Sequence, residues 1–258
     1  MRKIYTFNDG LLENVDSKTC FKCDLLYSIC YYADRDFFVN IERQVSHAHS
    51  IISDYNTDLV FIAVCAFDDI DNRQHVENKL NEIYQKINHE KMKILFLAIP
   101  NWGGTIAALW YLWKDVLEAR ICIPTYVSHM EEDLELFSNS WLSSSIACID
   151  QFIYVGETTR KAGEFKLTSQ RGTTGGARGR TKLAEEEAWS DGGFYFTTVE
   201  KLKIMEDAIG IFHKGDQTTK FDHHLDGVDI GEVGFPTLLY HANLKFTTIA
   251  RDSFFRHP

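Results

Sequence analysis

Continuous apolar runs of strand length alternate along this chain with stretches of helical periodicity, and few folds accommodate that alternation. Leu25-Leu26-Tyr27-Ser28-Ile29-Cys30-Tyr31-Tyr32, Leu59-Val60-Phe61-Ile62-Ala63-Val64, Lys93-Ile94-Leu95-Phe96-Leu97-Ala98 and the segment Thr125 to Met130 read as strands. Between them, Asp36 to Ile52 carries Phe37, Phe38, Ile41, Val45, Ala48, Ile51 and Ile52 at helical spacing, His75 to Ile87 is amphipathic, and Thr105 to Leu117 is an apolar helix. A strand that is apolar on both faces must be covered on both, which a parallel sheet flanked by crossover helices provides. The expectation is an α/β protein with a mostly parallel, Rossmann-like sheet. In such sheets ligands bind beyond the carboxyl ends of the strands.

Those ends are polar here. Asp34 follows the first strand, Asp68 and Asp69 the second, Asn101 the third, and Glu131-Glu132-Asp133 the fourth. Each alone is an ordinary turn former or helix cap. An acid-x-acid at a strand tip also suits a hard divalent cation, because Mg²⁺ and Mn²⁺ take oxygen ligands and Mg²⁺ shares its shell with substrate phosphates. The triplet is therefore either a solvated acidic turn or a metal-diphosphate site, and its convergence with the other polar strand ends favours the second.

At 258 residues and 29.7 kDa the chain can bury a sizeable core. A formal net charge of -10 argues against general nucleic-acid binding, which needs clustered Lys and Arg. Runs such as Leu59 to Phe67 and Ile94 to Pro100 are too short to span a bilayer, and the stretch from Met1 to Tyr5 has no signal-peptide apolar core. The cytoplasm is the expected compartment. Of six cysteines, only Cys20 and Cys23 have metal or redox spacing, without a second ligand pair. Met1 to Phe7 reads as an extra edge strand.

From Thr168 to Arg180 the chain turns to Thr, Gly and Arg, with almost nothing to bury, and reads as a mobile surface loop or a lid over a diphosphate. Arg171, Arg178, Arg180 and Lys182 would neutralise leaving-group charge in the second case. Trp189-Ser190-Asp191-Gly192-Gly193 precedes a strand from Phe194 to Thr197, and a helix follows from Val199 to Ile209. Pro236 fits a helix only in its first turn, so another helix begins near Phe235.

The order of these motifs resembles that of GT-A fold nucleotide-sugar glycosyltransferases of the inverting, family-2-like type, over roughly Asp24 to His257. Asp68 and Asp69 stand where that family contacts the nucleobase or ribose. Asn101-Trp102-Gly103-Gly104 before an Ala-containing helix is similar to its donor loop, and Glu131-Glu132-Asp133 to its Asp-x-Asp metal motif, with a longer first carboxylate. Trp189, Asp191, Gly192 and Gly193 resemble its Gly-Gly strand start, where backbone approaches donor sugar and acceptor. Counting back from Ala242-Asn243-Leu244-Lys245, which resembles a family turn, puts Glu232 at the position of the catalytic base, with Asp229 as runner-up. Phe254-Phe255-Arg256-His257 resembles the terminal segment whose histidine completes the metal shell.

The resemblance implies a single GT-A-like catalytic domain over 1–258, with a nucleotide-sugar-binding half at 24–136 and an acceptor and catalytic half at 137–258 carrying a mobile loop at 168–182. It implies donor binding by Asp34, Asp68, Asp69, Asn101, Gly103, Glu132, Arg178 and Arg180, and Mn²⁺ or Mg²⁺ held by Glu131, Asp133 and His257. The partners implied are a nucleotide-diphosphate sugar and a glycan or lipid-linked glycan acceptor, with peripheral membrane association for the latter. Trp102, Trp189, Tyr195 and Phe235 would stack on sugar faces or pack in the core. Three other readings remain: a retaining transferase on the same fold, a sugar-phosphate nucleotidyltransferase, or a non-catalytic sugar- or nucleotide-binding module. The second would show a Gly-rich, Lys-containing loop after the first strand, where this chain has Ala33-Asp34-Arg35-Asp36.

Overall fold

The computed structural model describes residues 3–8, 11–14, 20–32, 37–66, 78, 82, 85, 89–99, 104–119, 121–131, 134–158, 191–210, 224–225, 228–229, 239 and 242–256. The four expected strands form the middle of its sheet. They are β3 (Phe21–Tyr32), β4 (Leu59–Ala66), β5 (Met92–Ile99) and β6 (Cys122–Glu131), all parallel, with β3 between β4 and β6. Two-sided burial of Leu25, Leu26, Tyr27, Ser28, Ile29 and Cys30 explains why this run is continuous rather than alternating.

On the other side of β6 the sheet turns mixed. The strand β9 (Asp191–Thr198) lies antiparallel to β6 and to β8 (Val155–Thr158), and β12 (Thr247–Ala250) is parallel to β8. At the far edge, β1 (Lys3–Asn8) pairs antiparallel with β5 and with β2 (Leu11–Asn14). The expected N-terminal strand thus exists, but β2 rather than β1 is the edge. The full order is β12-β8-β9-β6-β3-β4-β5-β1-β2, a nine-stranded sheet.

Helices cover both faces. On one face α1 (Phe37–Tyr55) buries Ile41, Val45, Ala48, Ile51 and Ile52 against Tyr27, Phe61 and Ile94, joined by Trp141 of α3 (Ser140–Ile149). On the other, α2 (Gly104–Leu117) and α4 (Val199–Ile209) bring Leu112, Trp113, Val116, Leu202 and Met205 onto Leu26, Ile62, Leu97 and Val127. The bounds of α4 follow from its caps: the Thr198 side chain accepts from the Lys201 N–H, and Gly210 closes the end in the left-handed conformation at φ 61°. Of the helix expected at His75 to Ile87, Asn78, Glu82 and Gln85 are helical and exposed, as an outward face would be. The architecture is a Rossmann-like α/β sheet whose centre is parallel as expected, whereas both flanks carry antiparallel ladders, four among the eight of the nine-stranded sheet.

Both β3 and β6 begin earlier than their apolar runs, because Phe21 to Cys23 pair with Cys122 to Pro124. Cys20, Cys23 and Cys122 are free thiols; a hydrogen bond to Cys23, with burial, pushes the Cys122 thiol well up. Cys23 and Cys122 thus serve as packed core thiols. Among the described residues no helix is long and apolar enough to cross a membrane. The segment 168–182 lies outside the described residues.

Candidate functional site

Parallel β3, β4, β5 and β6 deliver their carboxyl ends, Tyr32, Ala66, Ile99 and Glu131, to one edge of the sheet. Antiparallel β9 begins at that same edge with Asp191-Gly192-Gly193, and β8 ends there with Glu157-Thr158. Met130 faces Phe194 across the β6–β9 ladder, so the acidic tip of β6 and the double glycine are neighbours. Residues more than 60 positions apart in sequence therefore share one locus.

The turn after β6 is held from several directions. The Leu134 N–H donates to the Glu131 carbonyl at 3.3 Å, and Glu135–Leu136, strand β7, pairs antiparallel with Phe255–Arg256, strand β13. Arg256 opposes Glu135, so β13 runs toward the acidic turn as it leaves the ladder. The Phe137 N–H donates to the Phe254 carbonyl at 3.1 Å, at the end of the short helix α5 (Arg251–Phe254). Arg43 Nη1 donates to Glu135 Oε1 at 2.7 Å, a part-exposed ion pair whose value is geometric more than energetic.

A buried relay reaches the turn from below. Tyr27 OH donates to Gln44 Oε1 at 2.7 Å, and Gln44 Nε2 donates to the Leu134 carbonyl at 2.6 Å. Burial holds the Tyr27 phenol well above its ordinary range, so it stays a donor. Gln44 and Tyr27 escape sequence reading because each looks like a face residue of its own element, and only the fold joins them to residue 134.

Beneath Glu131 on β6 lies His129, fully buried. The Ser28 hydroxyl donates to the Ser128 carbonyl at 2.9 Å and lies 2.8 Å from His129 Nδ1. The ring's tautomer sets which of Ser28 Oγ and His129 Nδ1 donates in that contact, and Nε2 has no hydrogen-bond partner among the described residues. Burial lowers its pKa to about 3.

Of the expected site residues, Glu131 is half-buried at the end of β6, and Gly193 is buried in β9. Asp191 and Gly192 also belong to β9. Asp229 lies in the small antiparallel pair of β10 (His224–Leu225) and β11 (Val228–Asp229), opposite His224. Tyr195 is a core side chain, edge-on to Trp113 at 6.2 Å, and not a sugar platform. Asp34, Asp68, Asp69, Asn101, Gly103, Glu132, Asp133, Arg178, Arg180, Trp189, Glu232 and His257 lie outside the described residues. The expected turn at Ala242 to Lys245 is present, with Asn243 left-handed at φ 58° and the Leu244 N–H on the Leu239 carbonyl at 2.8 Å.

As for a metal, no three ligating side chains converge among the described residues. Of the expected ligands Glu131, Asp133 and His257, Glu131 alone is described, a carboxylate at the end of β6, an oxygen donor of the kind that Mn²⁺ and Mg²⁺ accept.

This α/β sheet, with Glu131 and the double glycine at its carboxyl edge, defines the class, a Rossmann-like α/β fold. No protein-family model matches the sequence, and no curated protein matches it. In chain path it is similar to the galactosyltransferase LgtC in complex with donor and acceptor sugar analogues, at 9% identity over 88% of this chain and 73% of that one, TM-score 0.45. It is also similar to a protein from Desulfovibrio desulfuricans designated a nucleotide-diphospho-sugar transferase, at 8% identity over 88% and 79%, TM-score 0.43. A third, from Bacillus anthracis and designated a glucose-1-phosphate thymidylyltransferase, is 7% identical over 88% and 86%, TM-score 0.44.

Proposed function

We propose that this protein is a nucleotide-sugar-dependent glycosyltransferase of hexosyltransferase type, moving a sugar from a nucleotide-diphosphate donor to a hydroxyl of a glycan or glycolipid. The observation that supports this reading is the meeting of three distant segments at one sheet edge: the acidic end of β6, the glycine start of β9, and the C-terminal strand β13 on β7. A divalent cation, Mn²⁺ or Mg²⁺, would be held by Asp133 with Glu131 and His257, and when bound would neutralise charge on the diphosphate. Asp68 and Asp69 would bind the nucleoside, and Arg178 and Arg180 the departing phosphates. The backbone at Gly192-Gly193 would admit the acceptor. Glu232 would take the proton of the attacking hydroxyl, giving inversion at the anomeric carbon.

The test is calorimetric titration with UDP, GDP, ADP, CDP and TDP, with and without Mn²⁺, on the wild type and Asp133→Ala. Metal-dependent binding of one nucleotide, weakened at least tenfold in Asp133→Ala, is the expected outcome. Binding that ignores both metal and Asp133 would sink the reading. Once a donor is in hand, Glu232→Gln should retain donor affinity and lose turnover by about 100-fold or more, whereas a binding module would be indifferent.

A further inference from the structure

Glu157, which nothing in the sequence singles out, is a fully buried carboxylate at the end of β8. The β8–β9 ladder pairs Gly156 with Tyr195 and then jumps to Glu157 with Asp191, so Gly192, Gly193 and Phe194 are looped out against β8. The β6–β9 ladder runs only from Thr198 to Phe194, leaving Gly192 and Gly193 without a register partner on either side. Glu157 Oε1 occupies the place that a Cβ at residue 193 would need, and Leu134 Cδ1 lies 3.0 Å from the same place. Leu134 is itself fully buried and closes the acidic turn onto the Glu131 carbonyl.

We infer that Glu157 is a positioning residue: by filling the side-chain space of Gly193 beside Leu134, it fixes the glycine strand start against the acidic turn. A Cβ at residue 193 must displace Glu157 Oε1, the end of a side chain that is fully buried, and Leu134 Cδ1 must give by a few tenths of an ångström. Displacing the carboxylate disturbs the packing of the bulge, and displacing Leu134 disturbs the residue whose N–H donates to the Glu131 carbonyl. The functional part of this inference rests on the glycosyltransferase reading, in which the bulge and the turn must hold acceptor and metal-bound donor at a set separation. The packing part does not.

The experiment is a two-by-two cycle of Gly193→Ala and Glu157→Asp, read by thermal midpoint and by affinity for the five nucleotide diphosphates with Mn²⁺. Aspartate keeps the charge and withdraws it by one C–C bond, about 1.5 Å. Gly193→Ala should lower the midpoint and weaken binding of the nucleotide the wild type prefers by tenfold or more. Adding Glu157→Asp should recover at least threefold of that affinity and part of the midpoint. Wild-type affinity in Gly193→Ala, or a loss that Glu157→Asp fails to relieve, overturns the inference. If the wild type binds none of the five nucleotides, the glycosyltransferase reading has failed, and the midpoints alone decide. Recovery in the double variant then supports the packing role of Glu157, and additive losses overturn it.

Discussion

At His129 the fold keeps an imidazole in its interior with one nitrogen on Ser28 and the other without a partner among the described residues. The native state therefore holds this ring neutral, with a pKa near 3 against an ordinary 6.5. The unfolded chain protonates the same ring below pH 6.5, so it binds more protons there than the native protein does. Stability is then full above about pH 6.5 and falls toward pH 3 by about 1.4 kcal/mol per pH unit. His47, lowered to about 4 by burial with Asp54 opposing, adds to the same slope. Between pH 7.5 and pH 5 the His129 contribution alone comes to ~2 kcal/mol. His129→Gln, followed by urea unfolding at both pH values, should shrink the difference in unfolding free energy by that amount. An unchanged difference would mean that the ring is hydrated or partnered in solution.

Between elements, the decisive contact at the site is the smallest one, the two-residue pairing of β7 with β13. Its strength comes from Phe255, which is fully buried, 5.0 Å from Phe194 of β9 and in the same cluster as Trp141 and Leu134. Phe255→Ala should cost about 3–5 kcal/mol in chemical unfolding through lost burial and a residual cavity. On the proposed function it should also weaken the expected Mn²⁺-dependent nucleotide binding more than Trp141→Ala, which removes a side chain of the same cluster but leaves Phe255 in place. Equal losses in the two variants would mean that β13 only stabilises the fold. Phe255 illustrates where sequence reading stops. The parallel strands β3 to β6 and the helix α4 are legible because each is long enough for its burial pattern and caps to repeat. Two-residue β7 and β13, and the four-residue β8 with Gly156 inside it, have no room for a period. Glu131 and Gly193 could be singled out because an acid at a strand tip and a double glycine are local signals. Gln44 and Glu157 could not, since their roles exist only once Leu134 is brought beside them.

Across the whole molecule, the sheet ties the two halves of the chain together. Strands β3 to β6 lie between residues 21 and 131, while β8, β9 and β12 come from 137–258 and extend the same sheet beyond β6. The helices do likewise: α3 joins α1 on one face, and α4 joins α2 on the other. Removing the second half would strip β6 of β9 along Tyr126 to Met130, exposing a row of unpaired backbone groups in a strand buried on both faces. It would also uncover Val127 and Met130, which are 1% and 0% exposed in the intact chain. A fragment of residues 1–136 should therefore be unfolded or aggregated, as judged by circular dichroism and size-exclusion chromatography. The intact protein should unfold in one transition whose midpoint is the same by circular dichroism and by tryptophan fluorescence. A soluble fragment with native-like dichroism, or two separated midpoints, would show that the N-terminal half folds on its own. In that event the acidic turn would owe its geometry to α1 and the Gln44 relay alone, without β9 or β13.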